Sequence, residues 1–309
     1  MCLPLLAGGV LGGTAPRLGR RLPPATAVRL LTSALLLTAL ATGFVLSVAG
    51  ALVVGQLPVV ATVGHWSARV LGSGLPLPPL VGCGAAASVC VLLAAALRRA
   101  ALSARDLVRA ALTCRALGGP RGAGGLVVVD DDQPDAYALP GIGGRVVVST
   151  AMLRALPADE RRVLLAHEAA HLRHRHHLWV QVAELAAAAD PLLRPGSRAV
   201  RAAVERWADE VAAAEVGDRR LAARALARAG LARAAAARSR PAVALGGADS
   251  AVADRARALL AAPPPRRRAP AAAVAVLMLA TAAAVLVTAV DTDARFDAAQ
   301  VAWARTAPS

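Results

Sequence analysis

The sequence predicts a mainly α-helical membrane protein that carries a compact α+β domain between its membrane helices. Three long stretches without a charged residue predict the membrane helices, and a group of short β-branched runs between the second and third stretches predicts the domain. The composition agrees, because 57% of the 309 residues are hydrophobic, which is high for a soluble protein. We therefore expect the chain to lie in a membrane.

The charge-free stretches define the predicted spans. Each one exceeds the roughly 20 residues that a helix needs to cross the hydrocarbon core of a bilayer. The predicted spans are residues 30–54, 77–97 and 270–290. Residues 1–13 are also apolar but too short to span, and the sequence leaves open whether they belong to a fourth membrane helix.

Arginine gathers on one side of every predicted crossing. Arg29 precedes the first span, Arg98 follows the second and Arg268 precedes the third, whereas the segment that joins the first two spans is nearly free of arginine. Basic residues favour the cytoplasmic side of a cell membrane. This predicts that residues 98–268 are cytoplasmic and that the tail 291–309 lies outside.

The net charge of +15 does not indicate a nucleic-acid-binding protein. The arginines are dispersed among acidic residues, and one Tyr, two Phe and four Trp are too few to form stacking platforms for bases. A basic face against anionic lipid headgroups fits this pattern better. The four cysteines show no C-x-x-C spacing, so we expect free thiols and no metal ligands among them.

Three short β-branched runs predict a small antiparallel sheet. They are Leu126–Val129, Ala136–Leu139 and Arg145–Ser149, and the glycine-rich turn Pro140–Gly144 joins the last two. A helix then begins near Pro157 and continues toward Leu178 or beyond. Further helices are predicted at residues 99–117, 198–216 and 218–238, with an apolar segment at 178–193 that packs on the membrane surface or forms a buried helix.

One motif in the Pro157 helix determines the predicted chemistry. His167 and His171 are four residues apart, so their side chains point the same way, one turn apart, and both imidazoles can reach one Zn²⁺. Glu168 lies about 100° round the helix, where it can hold a water at the metal and take its proton. This arrangement predicts the site of a zinc peptidase; the alternative is the polar face of a solvated helix.

A catalytic zinc site needs a third protein ligand, and the residues offer two candidates. His177 lies six residues after His171, as the third histidine does in the zinc-binding pattern H-E-x-x-H-x-x-G-x-x-H. That pattern has a glycine where His174 stands, and without the turn that it allows, a continuous helix carries His177 about 9 Å further along the axis. Glu205 can reach the metal from a second, crossing helix. Asp209, one turn beyond Glu205, is placed to hydrogen-bond a ligand histidine.

Four segments together resemble a known family. They are Tyr137–Gly141, Arg145–Thr150, His167–His176 and Glu205–Asp209. These segments are similar to the BlaR/MecR-type membrane metallopeptidases and, more distantly, to the HtpX and CAAX prenyl protease group.

The resemblance implies a cytoplasmic zinc endopeptidase with His167, His171 and Glu205 as ligands and Glu168 as the general base. It implies a protein or peptide substrate, which in β-lactam sensors of this type is a winged-helix repressor. The alternatives are an HtpX-like quality-control protease and a non-catalytic metal-binding signalling protein. The implied organisation is a membrane region at 1–97, a metallopeptidase domain at 98–238, a linker with a helical patch at 239–268, a membrane helix at 270–290 and the external tail.

Two parts of the predicted mechanism concern the substrate. We expect an extended peptide to add a strand to the edge formed by Arg145, Val146, Val147, Val148 and Ser149. The candidates for stabilising the oxyanion are Tyr137, His174, Arg206 and Arg219, without ranking.

The chain also departs from the family pattern in three places. The first of the usual four spans is short or lost, and only 19 residues follow Val290, so sensing by an external penicillin-binding domain is not supported. Asp135 stands where related proteins often have asparagine, which puts the substrate contacts of that strand in question.

Overall fold

A computed structural model describes residues 3–73, 78–117, 125–141, 143–238, 246–262 and 268–306. Some sequence predictions lie outside these residues: the start of the second span at residue 77, the glycine-proline end of the following helix at 118–120, the linker segments 239–245 and 263–267, and the last residues of the tail.

The described chain is mainly helical with one small sheet, as the sequence predicts. In chain order the elements are α1 Leu3–Arg21, α2 Pro24–Val54, α3 Pro58–Gly64, α4 Ala68–Gly72, α5 Pro79–Ala116, β1 Gly125–Val129, β2 Ala136–Leu139, β3 Arg145–Ser149, α6 Thr150–Ala155, α7 Ala158–Arg173, α8 His176–Ala189, α9 Arg194–Val216, α10 Arg219–Arg238, α11 Gly246–Leu260 and α12 Arg268–Ala304. A single 3₁₀ turn, Pro191–Leu193, joins α8 to α9.

Three helices in the described part of the chain are long and apolar enough to cross a membrane. They are α2, α5 and α12, which correspond to the three predicted spans, with α5 beginning at Pro79 within the predicted span 77–97. Helix α5 continues without a break into the segment that follows the span, so the predicted span 77–97 and helix 99–117 are one helix. Helix α1 packs against α2 and α9.

The end of α12 lies against the segment that joins α2 to α5. The Ser67 N–H donates to the Ala299 carbonyl oxygen at 2.9 Å, and the Trp66 ring meets Phe296 edge-on with 5.2 Å between ring centroids. Both segments therefore lie at the same end of the membrane helices. This is the arrangement that a chain with three crossings requires.

Helix α1 approaches its neighbours through two glycines one turn apart, Gly8 and Gly12. A Cβ atom added at Gly12 would lie 2.1 Å from the carbonyl oxygen of Leu192, and one added at Gly8 would lie 3.1 Å from the Asp190 carboxylate. Small residues at this spacing let helix backbones come close in membrane proteins.

We expect Gly12→Ala to destabilise the protein by about 1–3 kcal/mol, the usual effect of overpacking a closely packed site. Gly13→Ala is the matched control, because a Cβ there meets nothing within 4 Å and alanine is the better helix former. The measurement is the thermal unfolding midpoint of the detergent-solubilised chain, followed by tryptophan fluorescence. Equal midpoints for the two variants would contradict this packing of α1.

The sheet is mixed, so the prediction of an antiparallel sheet is wrong for β1. The strand order is β1-β3-β2, with β1 parallel to β3 and β2 antiparallel to it. All five residues of β3 are buried. The expectation that Arg145, Val146, Val147, Val148 and Ser149 form an edge for substrate is therefore also wrong, since both sides of β3 already carry a strand.

The apolar segment after the motif helix packs against two of the membrane helices and is partly buried. Helix α8 packs against α2, α5 and α9. At its end the buried Asp190 accepts a hydrogen bond from Thr42 of α2 at 3.1 Å and from the Leu192 N–H at 3.0 Å. These bonds explain how a carboxylate is accommodated where the helix stops, since buried polar groups need partners.

The segment predicted as a linker contributes a helix to the domain. Helix α11 packs against α10 and α9, and its Leu259 is buried in a small core with Ala212, Ala222 and Val163. The helical patch expected within 239–268 therefore exists as α11 but packs onto the folded domain. It brings one further side chain, Arg255, to the motif.

Candidate metal centre

Helices α7 and α9 pack against each other and bring three metal-ligand side chains together. The Nε2 atoms of His167 and His171 are 3.2 Å apart, and each lies 3.8 Å from an oxygen of the Glu205 carboxylate. One donor atom from each side chain lies within 4.8 Å of the others. Donors around one tetrahedral Zn²⁺ are separated by about 3.3 Å if each lies about 2.0–2.1 Å from the ion. Two imidazoles and a carboxylate at these distances therefore fit a zinc ion.

Asp209 holds the first histidine. Its Oδ1 atom lies 3.1 Å from Nδ1 of His167, which leaves Nε2 of that ring directed toward the other donors. Burial raises the pKa of Asp209, but hydrogen bonds from Arg255 and His167 outweigh burial and lower that pKa to about 2. The carboxylate is therefore ionised and able to fix the His167 tautomer. This is the position that the sequence predicts for Asp209.

His176 lies behind the second histidine. Its Nδ1 atom is 3.2 Å from Nδ1 of His171, and the His176 side chain is buried. Burial and the neighbouring histidines lower the pKa of His176 to about 3, so its ring is neutral and can accept the Nδ1–H of His171. The His171 ring then presents Nε2 to the other two donors of the group.

A turn after α7 places His176 at this site. The helix predicted to continue toward Leu178 instead ends at Arg173, and Arg175 adopts the left-handed conformation with φ of 50°. Helix α8 starts at the next residue. For His177 to be a ligand, the chain would have to turn after the motif. The chain does turn there, but the turn brings His176 to the cluster. His177 lines the cleft without joining the three donors.

Glu168 lies in a cleft of about 520 Å³ beside the candidate ligands. Its side chain is buried, and burial raises the pKa of Glu168, while the charges of His167 and Arg233 act in the opposite direction. A carboxylate with a raised pKa takes a proton from water more readily than an ordinary one.

Of the oxyanion candidates, only Tyr137 lines the cleft. The His174 ring stacks on Trp207 with 4.6 Å between ring centroids. Arg206 donates to the Gly19 carbonyl oxygen at 2.8 Å, which holds α1 to α9. Arg219 pairs with Glu210 and donates to carbonyl groups at the end of α11. These three side chains have structural partners and do not line the cleft.

Sequence reasoning missed Arg233, which does line the cleft. Its guanidinium donates to the Ala136 carbonyl oxygen at 3.0 Å and lies 3.4 Å from the Asp135 carboxylate. It is half-exposed and close enough to lower the pKa of Glu168. In the sequence it is one of many arginines in an alanine-rich helix, so nothing local distinguishes it.

Arg255 was also missed, and it joins the two acids of α9. Its guanidinium donates to both oxygens of Asp209, at 2.8 and 2.7 Å, and lies 3.0 Å from Glu205. Two parallel bonds to one carboxylate fix both groups in orientation. Arg255 therefore positions the carboxylate that holds His167 and the carboxylate that completes the donor set.

We expect Arg255→Ala to weaken zinc binding about 10–100-fold, the range for residues that orient metal ligands. Arg255→Lys should recover little of this, because an ammonium cannot make the paired bonds. Arg257→Ala is the control on the same helix, since Arg257 is exposed and pairs with Asp254. Competition with a zinc chelator measures the dissociation constants, and an unchanged constant for Arg255→Ala would refute the positioning role.

Part of the chain is similar to known peptidases. Residues 109–188 match peptidase family M48. This part of the chain is similar to the M48 peptidases. A segment of 52 residues is 46% identical to a protein named "Protease HtpX homolog" from Aeropyrum pernix. That segment covers 16% of this chain and 16% of the relative. No solved structure matches the chain.

The two matches confirm the predicted resemblance to membrane zinc metallopeptidases, and within that resemblance they support the HtpX group. The M48 match ends within α8, so it includes the H-E-x-x-H motif but neither Glu205 nor Arg255. The third ligand and the BlaR/MecR type stay predictions. Glu205 is supported by the geometry described above.

Proposed function

We propose that the chain is a membrane-anchored zinc endopeptidase that hydrolyses peptide bonds of cytoplasmic or membrane proteins. The observation that carries this proposal is the group of His167, His171 and Glu205, with Glu168 beside it in an open cleft. When bound there, Zn²⁺ polarises the scissile carbonyl and makes an attacking water more acidic.

Four further side chains of the protein have roles in the proposed reaction, in addition to that of Glu168. Glu168 accepts the proton of the attacking water and then delivers it to the leaving amine, which is the role of a general base followed by a general acid. Asp209 and His176 fix the rings of His167 and His171. Tyr137 and Arg233 line the cleft and can donate hydrogen bonds to the developing oxyanion.

The substrate strand is best accommodated along β2. Three residues of β2, Ala136, Tyr137 and Ala138, line the cleft, whereas β3 is enclosed. Within the described residues β2 pairs with β3 on one side, which leaves its other edge for an extended peptide. Arg233 already caps the Ala136 carbonyl at the start of this edge.

The peptidase similarity supports a protein or peptide substrate, and the three apolar helices support association with lipid. A winged-helix repressor is one such substrate, proposed from the BlaR/MecR resemblance. Proteolysis of an unfolded model protein by the full-length chain in nanodiscs tests the proposed activity. Cleavage should stop when a chelator removes the metal and return when zinc is added. Cleavage that continues without metal would refute the zinc mechanism.

We further propose that the catalytic domain faces the cytoplasm from the plasma membrane, as the arginine distribution predicts. A reporter fused after Ser309 should then be active outside the cell, and one inserted in the loop before α10, at Asp218, should be active inside. The two reporters should never be active on the same side. Activity of the Ser309 reporter in the cytoplasm would reverse the proposed orientation.

A further inference from the structure

A second groove lies where α5 leaves its charge-free stretch. It has a volume of about 380 Å³ and is lined by residues of α5, α8 and the start of α9. Four of its lining residues are arginines, Arg98, Arg99, Arg194 and Arg198, and the acidic residue among them is Glu184. The groove and the peptidase cleft are different cavities, and Arg99 and Glu184 line both of them.

Among the described residues, the protein neutralises only part of the positive charge of this groove. Glu184 pairs with Arg99 and with the neighbouring Arg201. In the part of the chain that the structure describes, no carboxylate lies within ion-pair distance of Arg98, Arg194 or Arg198. All three are exposed. Three like charges held around one groove repel each other, and an anion between them would relieve that repulsion.

The length of α5 predicts that the groove lies at the level of the lipid headgroups. From Pro79 to Arg98, α5 rises about 28 Å at 1.5 Å per residue. The hydrocarbon core of a bilayer is about 30 Å thick, so a helix that enters at Pro79 reaches the headgroup layer at Arg98. Arg98 and Arg99 are also the first charged residues after this stretch.

An apolar surface continues from the groove toward the membrane centre. Ala95 and Leu102 share the lining face of α5 with the arginines, and Val91, one turn before Ala95 on that face, is 67% exposed. The adjacent Leu97 is 61% exposed. A ligand that matches this surface has an anionic head and apolar chains. A nucleic acid or an acidic peptide would leave the apolar part uncovered.

We propose that this groove binds the headgroup phosphate of an anionic phospholipid, with the arginines on the phosphate and the acyl chains along α5. Guanidinium groups form strong, charge-assisted hydrogen bonds with phosphate oxygens. Basic pockets between membrane helices on the cytoplasmic side are suited to such headgroups. The proposal does not depend on the peptidase activity. A lipid in the groove would lie close to the peptidase cleft, because Arg99 and Glu184 line both the groove and the cleft.

The test is native mass spectrometry of the full-length protein titrated with phosphatidylglycerol or phosphatidylcholine, which share the phosphate but differ in net charge. Wild type should bind phosphatidylglycerol at least about tenfold more tightly. The triple variant Arg98→Gln, Arg194→Gln, Arg198→Gln should lose about 100-fold of this affinity, because each arginine near an anionic headgroup contributes about a factor of five. The matching lysine variant should keep most of it, which separates loss of charge from loss of folding.

The matched control removes three exposed arginines of the peptidase domain away from the groove, as Arg162→Gln, Arg220→Gln and Arg224→Gln. Its affinity should stay close to that of wild type. An equal loss in the control would show a general charge effect and overturn the proposal. Equal binding of the two lipids, together with displacement by inorganic phosphate, would show a free-phosphate site and overturn it as well.

Discussion

Replacement of Glu168 by alanine is expected to abolish proteolysis while zinc binding and folding are retained. Glu168 lies in the cleft beside the donor set but is not one of its three members, so its loss removes proton transfer and leaves the ligands in place. A general base contributes about 10²–10⁴-fold to a rate, and the loss of water orientation places the expected effect near the upper end. Glu168→Gln keeps the shape but cannot take the proton, so it should be nearly as inactive.

This prediction is checked by the cleavage rate of a purified protein substrate and by the zinc content of each variant. Glu215→Gln is a matched control, because Glu215 is a half-exposed carboxylate that pairs with Arg173 away from the cleft. Wild-type rates for both Glu168 variants would exclude the mechanism. The metal-binding signalling protein would then be the better description.

Replacement of Glu205 by alanine is expected to remove most of the bound zinc. It deletes one of three donors, so the loss of affinity should exceed the roughly 100-fold that residues behind the ligands can cause. His177→Ala should keep the metal, because His177 lines the cleft without belonging to the donor set. Zinc content after purification, with chelator competition for the dissociation constants, distinguishes the two variants. If His177→Ala loses zinc and Glu205→Ala retains it, His177 is the third ligand and Glu205 is not.

The local parts of this protein could be predicted because their signals are local. Charge-free stretches and the four-residue spacing of His167 and His171 each lie within one helix, so hydropathy and helical periodicity are sufficient. Glu205 and Asp209 lie on another helix, and the residues alone left Glu205 and His177 as alternatives. The resemblance to a family favoured Glu205, and the crossing of α7 with α9 places it beside the histidines.

The parts that were missed depend on contacts between distant segments. The parallel pairing of β1 with β3 is not local, although three consecutive valines at 146–148 are typical of a strand that is buried on both faces. His176 reaches His171 because Arg175 adopts a left-handed conformation, for which the sequence offers no glycine. Arg255 lies in a segment whose prolines and glycines indicated a linker, and only the packing of α11 shows its role.

The oxyanion candidates show the same limit. Tyr137, His174, Arg206 and Arg219 were equivalent by residue type, since each can donate a hydrogen bond. Only the fold separates them, by turning Arg206 toward α1 and Arg219 toward α11. Only the contact with β2 distinguishes Arg233 from the other arginines of α10.

Proteolysis at the site of His167, Glu168, His171 and Glu205 should be detectable in cells. The experiment compares the protein N-termini in cells that produce either the wild type or Glu168→Gln at equal levels. We predict a set of new N-termini from cytoplasmic or membrane proteins that is present with the wild type and missing with the variant. Identical sets of N-termini in the two cell populations would contradict the account.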